Sequence, residues 1–425
     1  MSSTTAPPTG GTVPPSYNVH ANEERLELSW RHPKGLWNLS LVNFGLRLIT
    51  LGIYHFWAKT EVRKRLWSGI RINGEPLTYT GRGLELFLGF LIVAGVVLLP
   101  TALLVAGVMI AFGPDSPVYF AVVFALYAVF FFLIGVAVYR AMRYRLARTR
   151  WRGIRGSLDG NPMTYGWTYF WTGLLVPLTA GWITPWRSVK LQELMTNNIR
   201  FGDRSLKFTA QPGPLYAPFA VMWVGGLFLY FAFFGVIIAI AALKAQSGAP
   251  GGAKAPPTPT EIGIIVVAGI IFLLLFMLVS AWYQARLTNH FANNTHFANA
   301  TFRGNVTAGG LIWLTISNLL ILAGGALLVC AVVAIVVLPF IGLDPQQLAR
   351  VESRSALQVV ATLVPLLILL SFGLLMPVVQ ARALRYVIEH LSIEGTAPLA
   401  DIIQASGSDV RFGEGLAEAF DVDAI

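Results

Sequence analysis

Cysteine is almost missing from this chain: Cys330 stands alone among 425 residues, inside an apolar run. A lone thiol excludes a disulfide framework and a thiolate metal site. Charge is scarce too, at 12% Asp, Glu, Lys and Arg against 55% hydrophobic residues, where soluble domains carry about 25% charge. No Gly-rich phosphate loop, no G-x-S-x-G and no H-E-x-x-H occurs, so the common nucleotide, hydrolase and zinc-protease chemistries have no motif to rest on. The first 35 residues, Pro/Ser/Thr-rich and then charged, hold no short apolar h-region, and no cleaved signal peptide is expected.

Uncharged length is what the chain has in abundance. Six runs free of Asp, Glu, Lys and Arg cover 86–112, 118–139, 214–243, 262–283, 306–343 and 355–381. Each exceeds the ~20 residues that a helix needs to cross about 30 Å of hydrocarbon. Only a helix satisfies its own backbone in lipid, so these are read as transmembrane helices. No acid lies inside any of them, which removes the carboxylate relays of many pumps. The net charge of +10 then marks cytoplasmic loops facing anionic lipid more simply than a nucleic-acid partner.

The sequence repeats. At an offset of 129, Thr50, Gly52, Trp57, Ile70, Arg71, Leu77 and Thr80 fall on Thr179, Gly181, Trp186, Ile199, Arg200, Leu206 and Thr209. A further offset of 192 carries Thr179, Gly181 and Pro185 to Ser371, Gly373 and Pro377. At 144, Tyr139, Ala141, Gly160 and Asn161 match Tyr283, Ala285, Gly304 and Asn305. The units are read as 25–161, 162–305 and a divergent 306–400, between a disordered tail over 1–24 and an acidic tail over 401–425.

Each unit has an apolar helix, a basic helical extension and a short strand–turn–strand. Five turns are predicted: Asn73-Gly74, Asp159-Gly160, Gly202-Asp203, Arg303-Gly304 and Glu394-Gly395. The hairpins are expected to gather into a β-layer at one membrane face, the cytoplasmic one by the positive-inside rule. Segments 36–57 and 163–186 must then leave and return on the same side. The first is too polar to span, with Asn38, Ser40, Asn43, Arg47 and Thr50. The second holds Pro177, four threonines and many interface-loving aromatics. Both are read as re-entrant or interfacial, so the expected fold is an α-helical polytopic membrane protein with about six transmembrane helices, two partial segments and a cytoplasmic β-layer.

The stretch "LVNFGLRLITLGIYHFWAKTEVRKRLWSGIRINGEPLTYTG" over 41–81 resembles the YjgN-like family of bacterial inner-membrane proteins of unknown function. Asn43, Thr50, Leu51, Gly52, Ile53, Tyr54, Trp57, Ala58 and Arg65 fit its signature, while Phe56 stands where proline is usual. The second unit and the acidic C-terminal "GEGLAEAFDVD" also fit. The resemblance implies an inner-membrane location and lends no activity.

Candidate site residues follow from these patterns. Gly52, Gly181 and Gly373 are notches for helix packing or breaks that frame a substrate site. Trp57 and Trp186 are interface anchors, and Arg47 either snorkels to headgroups or holds an anion. Thr50, Thr179, Pro185, Ser371 and Pro377 belong to the same motif. Arg63, Lys64, Arg65, Arg143, Arg148 and Arg152 are expected on anionic lipid headgroups, a reading preferred to nucleic acid for the arginine-rich 140–155. His290 and His296, about 600° apart around a helix, make a poor metal pair, and neither metal nor cofactor is expected. Two functions remain: transport-like or channel-like handling of a small molecule or lipid, and a non-transporting scaffold or lipid-organising factor with a cytoplasmic protein partner. No catalytic constellation supports an enzyme, and oligomeric state is not readable.

Overall fold

The computed structural model describes residues 23–246, 256–341, 365 and 372–404. The chain starts with two short strands, β1 (Glu24–Arg25) and β2 (Leu28–Trp30), and then makes a helical hairpin of α1 (Leu36–Ile49) and α2 (His55–Gly69). Next come β3 (Ile70–Ile72), β4 (Glu75–Pro76) and β5 (Thr78–Tyr79). The first long excursion is α3 (Gly83–Val93), a π-helical turn (Ala94–Leu98), α4 (Leu99–Phe112) and the returning α5 (Pro117–Arg148). Pro100 explains the wide turn, since its ring cannot fit the regular helix against the carbonyl four residues back. A hairpin of β6 (Thr149–Trp151) and β7 (Ile154–Leu158) leads into a second helical hairpin, α6 (Pro162–Leu178) and α7 (Thr184–Thr196). After β8 (Ile199–Phe201) and β9 (Arg204–Phe208) comes the second long excursion, α8 (Gly213–Gln246) and α9 (Pro259–Asn293). Strands β10 (Thr295–Phe297) and β11 (Ala300–Gly304), helix α10 (Ala308–Ile341), helix α11 (372–389), β12 (Leu391–Glu394) and β13 (Thr396–Ala397) complete it.

Five helical segments among the described residues are long and apolar enough to cross a membrane: Gly83–Phe112, Pro117–Arg148, Gly213–Gln246, Pro259–Asn293 and Ala308–Val332. No residue in the most apolar stretch of the last three is buried. Exposed apolar surface on this scale is stable only in lipid or against other helices. The expected sixth span, 355–381, lies mostly outside the described residues. Helix α9, with 35 residues, is about 52 Å long, so the spans continue past the hydrocarbon and carry their ends into the strands.

The strands form one layer. Strands β5 to β12 make an antiparallel sheet of eight in the order β12-β11-β10-β9-β8-β7-β6-β5, and β2-β3-β4 make a second of three. The two join through Leu77, whose amide donates to the Ile70 carbonyl at 3.0 Å. At the far end β2 packs beside β12, and β1 pairs with β13, Glu24 opposite Ala397. The layer therefore closes into a ring. Its interior is the main apolar core: Leu26, Trp151, Phe297, Ala300, Ala397, Leu399 and Ile402 are buried there, with Phe201, Phe302 and Ile393 packed against them.

Two of the five predicted turns are displaced. The β6–β7 turn is Arg152-Gly153, with φ of 50° and 80°, and the β10–β11 turn begins at Ala298, φ 52°. Asp159-Gly160 instead leads from β7 into α6, and Gly304 ends β11. The prediction rested on Asn/Asp-Gly propensity, which the register of the closed ring overrides at these positions. Asn73-Gly74 and Gly202 do sit at hairpin turns with positive φ. The expected docking of the acidic tail concerns residues that, beyond Gln404, are outside the described ones. Gln404 itself accepts from the Arg155 amide at 2.8 Å, and Ile402 is buried.

Candidate functional site

The repeated Thr-x-Gly motif builds the same turn twice. In the first hairpin Leu51 and Gly52 take φ of 49° and 92°, and the Gly52 amide donates to the Arg47 carbonyl at 2.8 Å. In the second Ala180 and Gly181 take 48° and 88°, and the Gly181 amide donates to the Val176 carbonyl at 2.7 Å. This six-to-one bond is the mark of a Schellman stop. The threonine completes each turn. Thr50 Oγ1 donates to the Leu46 carbonyl and accepts from the Tyr54 amide; Thr179 Oγ1 does the same between Leu175 and Ile183.

Packing is therefore not what Gly52 provides, since a Cβ there would meet nothing within 4 Å. The left-handed backbone requires it, as it does Gly181. Gly373 is the notch of the three: a Cβ there would lie 2.9 Å from Arg47 Nη1. Ser371 falls outside the described residues. Pro377 is buried in α11, and Pro185 is fully buried at the start of α7.

Helix α1 carries a polar stripe into this arrangement. Ser40, Asn43 and Arg47 follow one another at three and four residues, so they share a face. Ser40 is fully buried and Asn43 nearly so. Asn43 Nδ2 donates to the Ala58 carbonyl at 3.4 Å, tying α1 to α2 where Ala58 lets the helices close up. Arg47 Nη1 makes a long bond of 3.5 Å to the Gly373 carbonyl. Ser40 Oγ, Asn43 Oδ1 and Arg47 Nε are buried with no hydrogen-bond partner, and no carboxylate faces Arg47 among the described residues. The guanidinium thus points into protein instead of snorkelling to headgroups. A buried polar group without a partner costs about 1–3 kcal/mol, so three on one face mark a site and not a core.

The other expected contacts divide. Trp57 packs under α3, stacking with Phe87 beside Gly83; it is a packing residue more than an interface anchor. Trp186 is exposed at the second tip, as an anchor would be. Four of the arginines expected on lipid are occupied within the chain. Arg63 is buried and donates to the Tyr79 hydroxyl. Arg143 donates to the Leu158 and Gly160 carbonyls, and Arg148 pairs with Glu85 at 2.9 Å. Arg152 lies over the Trp151 ring and pairs with Glu24 and Glu75, each at 3.1 Å. Its hydrogen bonds to Glu75 and Glu24 hold its pKa above the usual arginine value, so it stays charged. Helix ends that reach the strands need donors for strand and loop carbonyls, and these arginines supply them. Lys64 and Arg65 remain at the surface, paired with Glu61 and the Lys34 carbonyl. His290 shares a hydrogen bond with the Gln211 carbonyl, and His296 lies between Thr209 and Thr301.

Helices with outward apolar faces and a strand layer at their ends define an integral membrane protein. Residues 33–419 match the family described as "Bacterial protein of unknown function (DUF898)", and the chain belongs to it. The inner membrane protein YjgN of Salmonella typhimurium is 40% identical over 55 residues, 13% of this chain and 14% of that relative. The chain thus aligns with only a small part of that relative's length. No solved structure matches.

Proposed function

We propose that this is an inner-membrane protein with a transport-like role, in which two half-spanning hairpins dip from the cytoplasmic face and Arg47 meets an anionic small molecule or lipid headgroup. The carrying observation is Arg47, held between α1 and the Gly373 carbonyl with an unpartnered Nε and no acid opposite it. An unpaired guanidinium at bilayer depth is costly and marks function by default. The name of the YjgN relative supports the inner membrane, and the basic hairpin face supports a cytoplasmic layer. Helices α1 and α2, of 14 and 15 residues, reach only about 22 Å, too short to cross. Their tip exposes Ile49, Leu51 and Ile53, as a re-entrant segment would toward lipid. The matching turns support descent of the hairpins from one repeated unit. Because β11 and β12 lie in one layer, the excursion between them leaves and returns on one side, which favours an even number of spans, six.

The test is flux in proteoliposomes. Fluorescent phosphatidylglycerol in both leaflets is bleached from outside, and release of entrapped inorganic phosphate is followed in parallel. The wild type should accelerate one of the two over empty vesicles, Arg47→Gln should slow it about tenfold, equivalent to ~1.4 kcal/mol, and Arg47→Lys should recover part. Equal rates for wild type and empty vesicles would overturn transport. The scaffold reading, supported by the outward apolar faces of α8, α9 and α10, would then take its place.

A further inference from the structure

The ring of strands is closed, yet its interior is not full. It encloses a cavity of 210 Å³, walled by Leu26, Ile72, Trp151, Phe201, Phe297 and Phe302 among others, with Thr149 and Arg200 as the polar contributors. An apolar cavity of about 150 Å³ already stays dry and accepts a benzene-sized guest. Small barrels either fill such an interior with side chains or hold one ligand in it.

A second observation tells what that ligand carries. Trp151 is 5% exposed, lines the cavity, and its indole Nε1 is buried with no hydrogen-bond partner. A buried indole N–H normally has an acceptor. Leu146, near the end of span α5, lines the same cavity, so the space adjoins the end of a membrane helix. A sugar or a nucleotide would demand many polar partners, and this wall has few. A plain hydrocarbon would leave the indole unsatisfied. We propose that the ring holds a single aliphatic acyl chain, whose carboxyl or ester oxygen accepts from Trp151 Nε1. The bilayer is a ready source of such chains, either as free fatty acid or on a phospholipid. The site is separate from Arg47 and independent of the transport reading.

The experiment uses full-length protein in nanodiscs with two photoactivatable probes, a diazirine-bearing fatty acid and a phosphatidylglycerol bearing the same chain. Crosslinked peptides are mapped by mass spectrometry. Labels on peptides containing Trp151, Phe201 or Phe297, removed by excess unlabelled fatty acid or lipid, support the site. The probe that labels identifies the source. Trp151→Phe should lower ring labelling about fivefold, the loss of one hydrogen bond. Two variants that fill the cavity, Phe302→Trp and Ile72→Phe, should lower it about tenfold or more by occupying the space. Whichever keeps the wild-type melting temperature decides the matter. Labels confined to the spanning helices, or ring labelling unchanged in a filled and folded variant, would overturn the proposal.

Discussion

Glycine in this chain serves opposite purposes at equivalent positions of the motif, and single residues can tell them apart. Gly52 and Gly181 stand in left-handed backbone with little or nothing near a would-be Cβ. Gly45, inside α1, also has open space around it but ordinary helical backbone. Left-handed backbone costs an L-residue about 1–2 kcal/mol, whereas alanine in place of a mid-helix glycine is worth about 0.5–1 kcal/mol. Gly52→Ala and Gly181→Ala should therefore lower stability while Gly45→Ala leaves it unchanged or raises it. Thermal melting of the three variants in one lipid condition checks this; equal shifts would remove the backbone role. The motif was legible in the sequence as a repeat. Its meaning was not, because a packing notch and a helix stop use the same residue.

Among the elements, the junctions between spans and strands hold most of the polar structure. Arg143 satisfies two carbonyls just after β7 from its place on α5, with its guanidinium over Tyr139. Lys64 meets only Glu61 at an exposed site. Charged hydrogen bonds contribute about 1.5–3 kcal/mol, and exposed pairs about 0–1 kcal/mol. Arg143→Met should then cost several times what Lys64→Ala does, read as loss of melting temperature and faster proteolysis at the β7–α6 link. Equal losses would return Arg143 to the lipid-facing role. The sequence showed a run of arginines after a span, and lipid contact was the natural expectation. A helix long enough to leave the bilayer brings them against unpaired carbonyls instead.

For the whole molecule, one layer receives both ends of each helical excursion, so all hairpins share a side of the membrane. In a Cys330→Ser background, single cysteines replacing Glu75, Asp159, Asp203, Arg303 and Glu394 should all be blocked by a permeant reagent and none by an impermeant one applied from the periplasm. Labelling of position 203 from the periplasm would turn α6 and α7 into crossing helices. The sequence alone determined the membrane class, the long spans, the strand-bearing units and the family, because lipid and backbone impose those demands locally, over about 20 residues at a time. Only the tertiary structure decided that the strands close into a ring with a cavity, that the turns fall at Arg152-Gly153 and Ala298, and that Arg47 meets Gly373. Those depend on register and on partners 326 residues apart, where one chain segment carries no signal of the other.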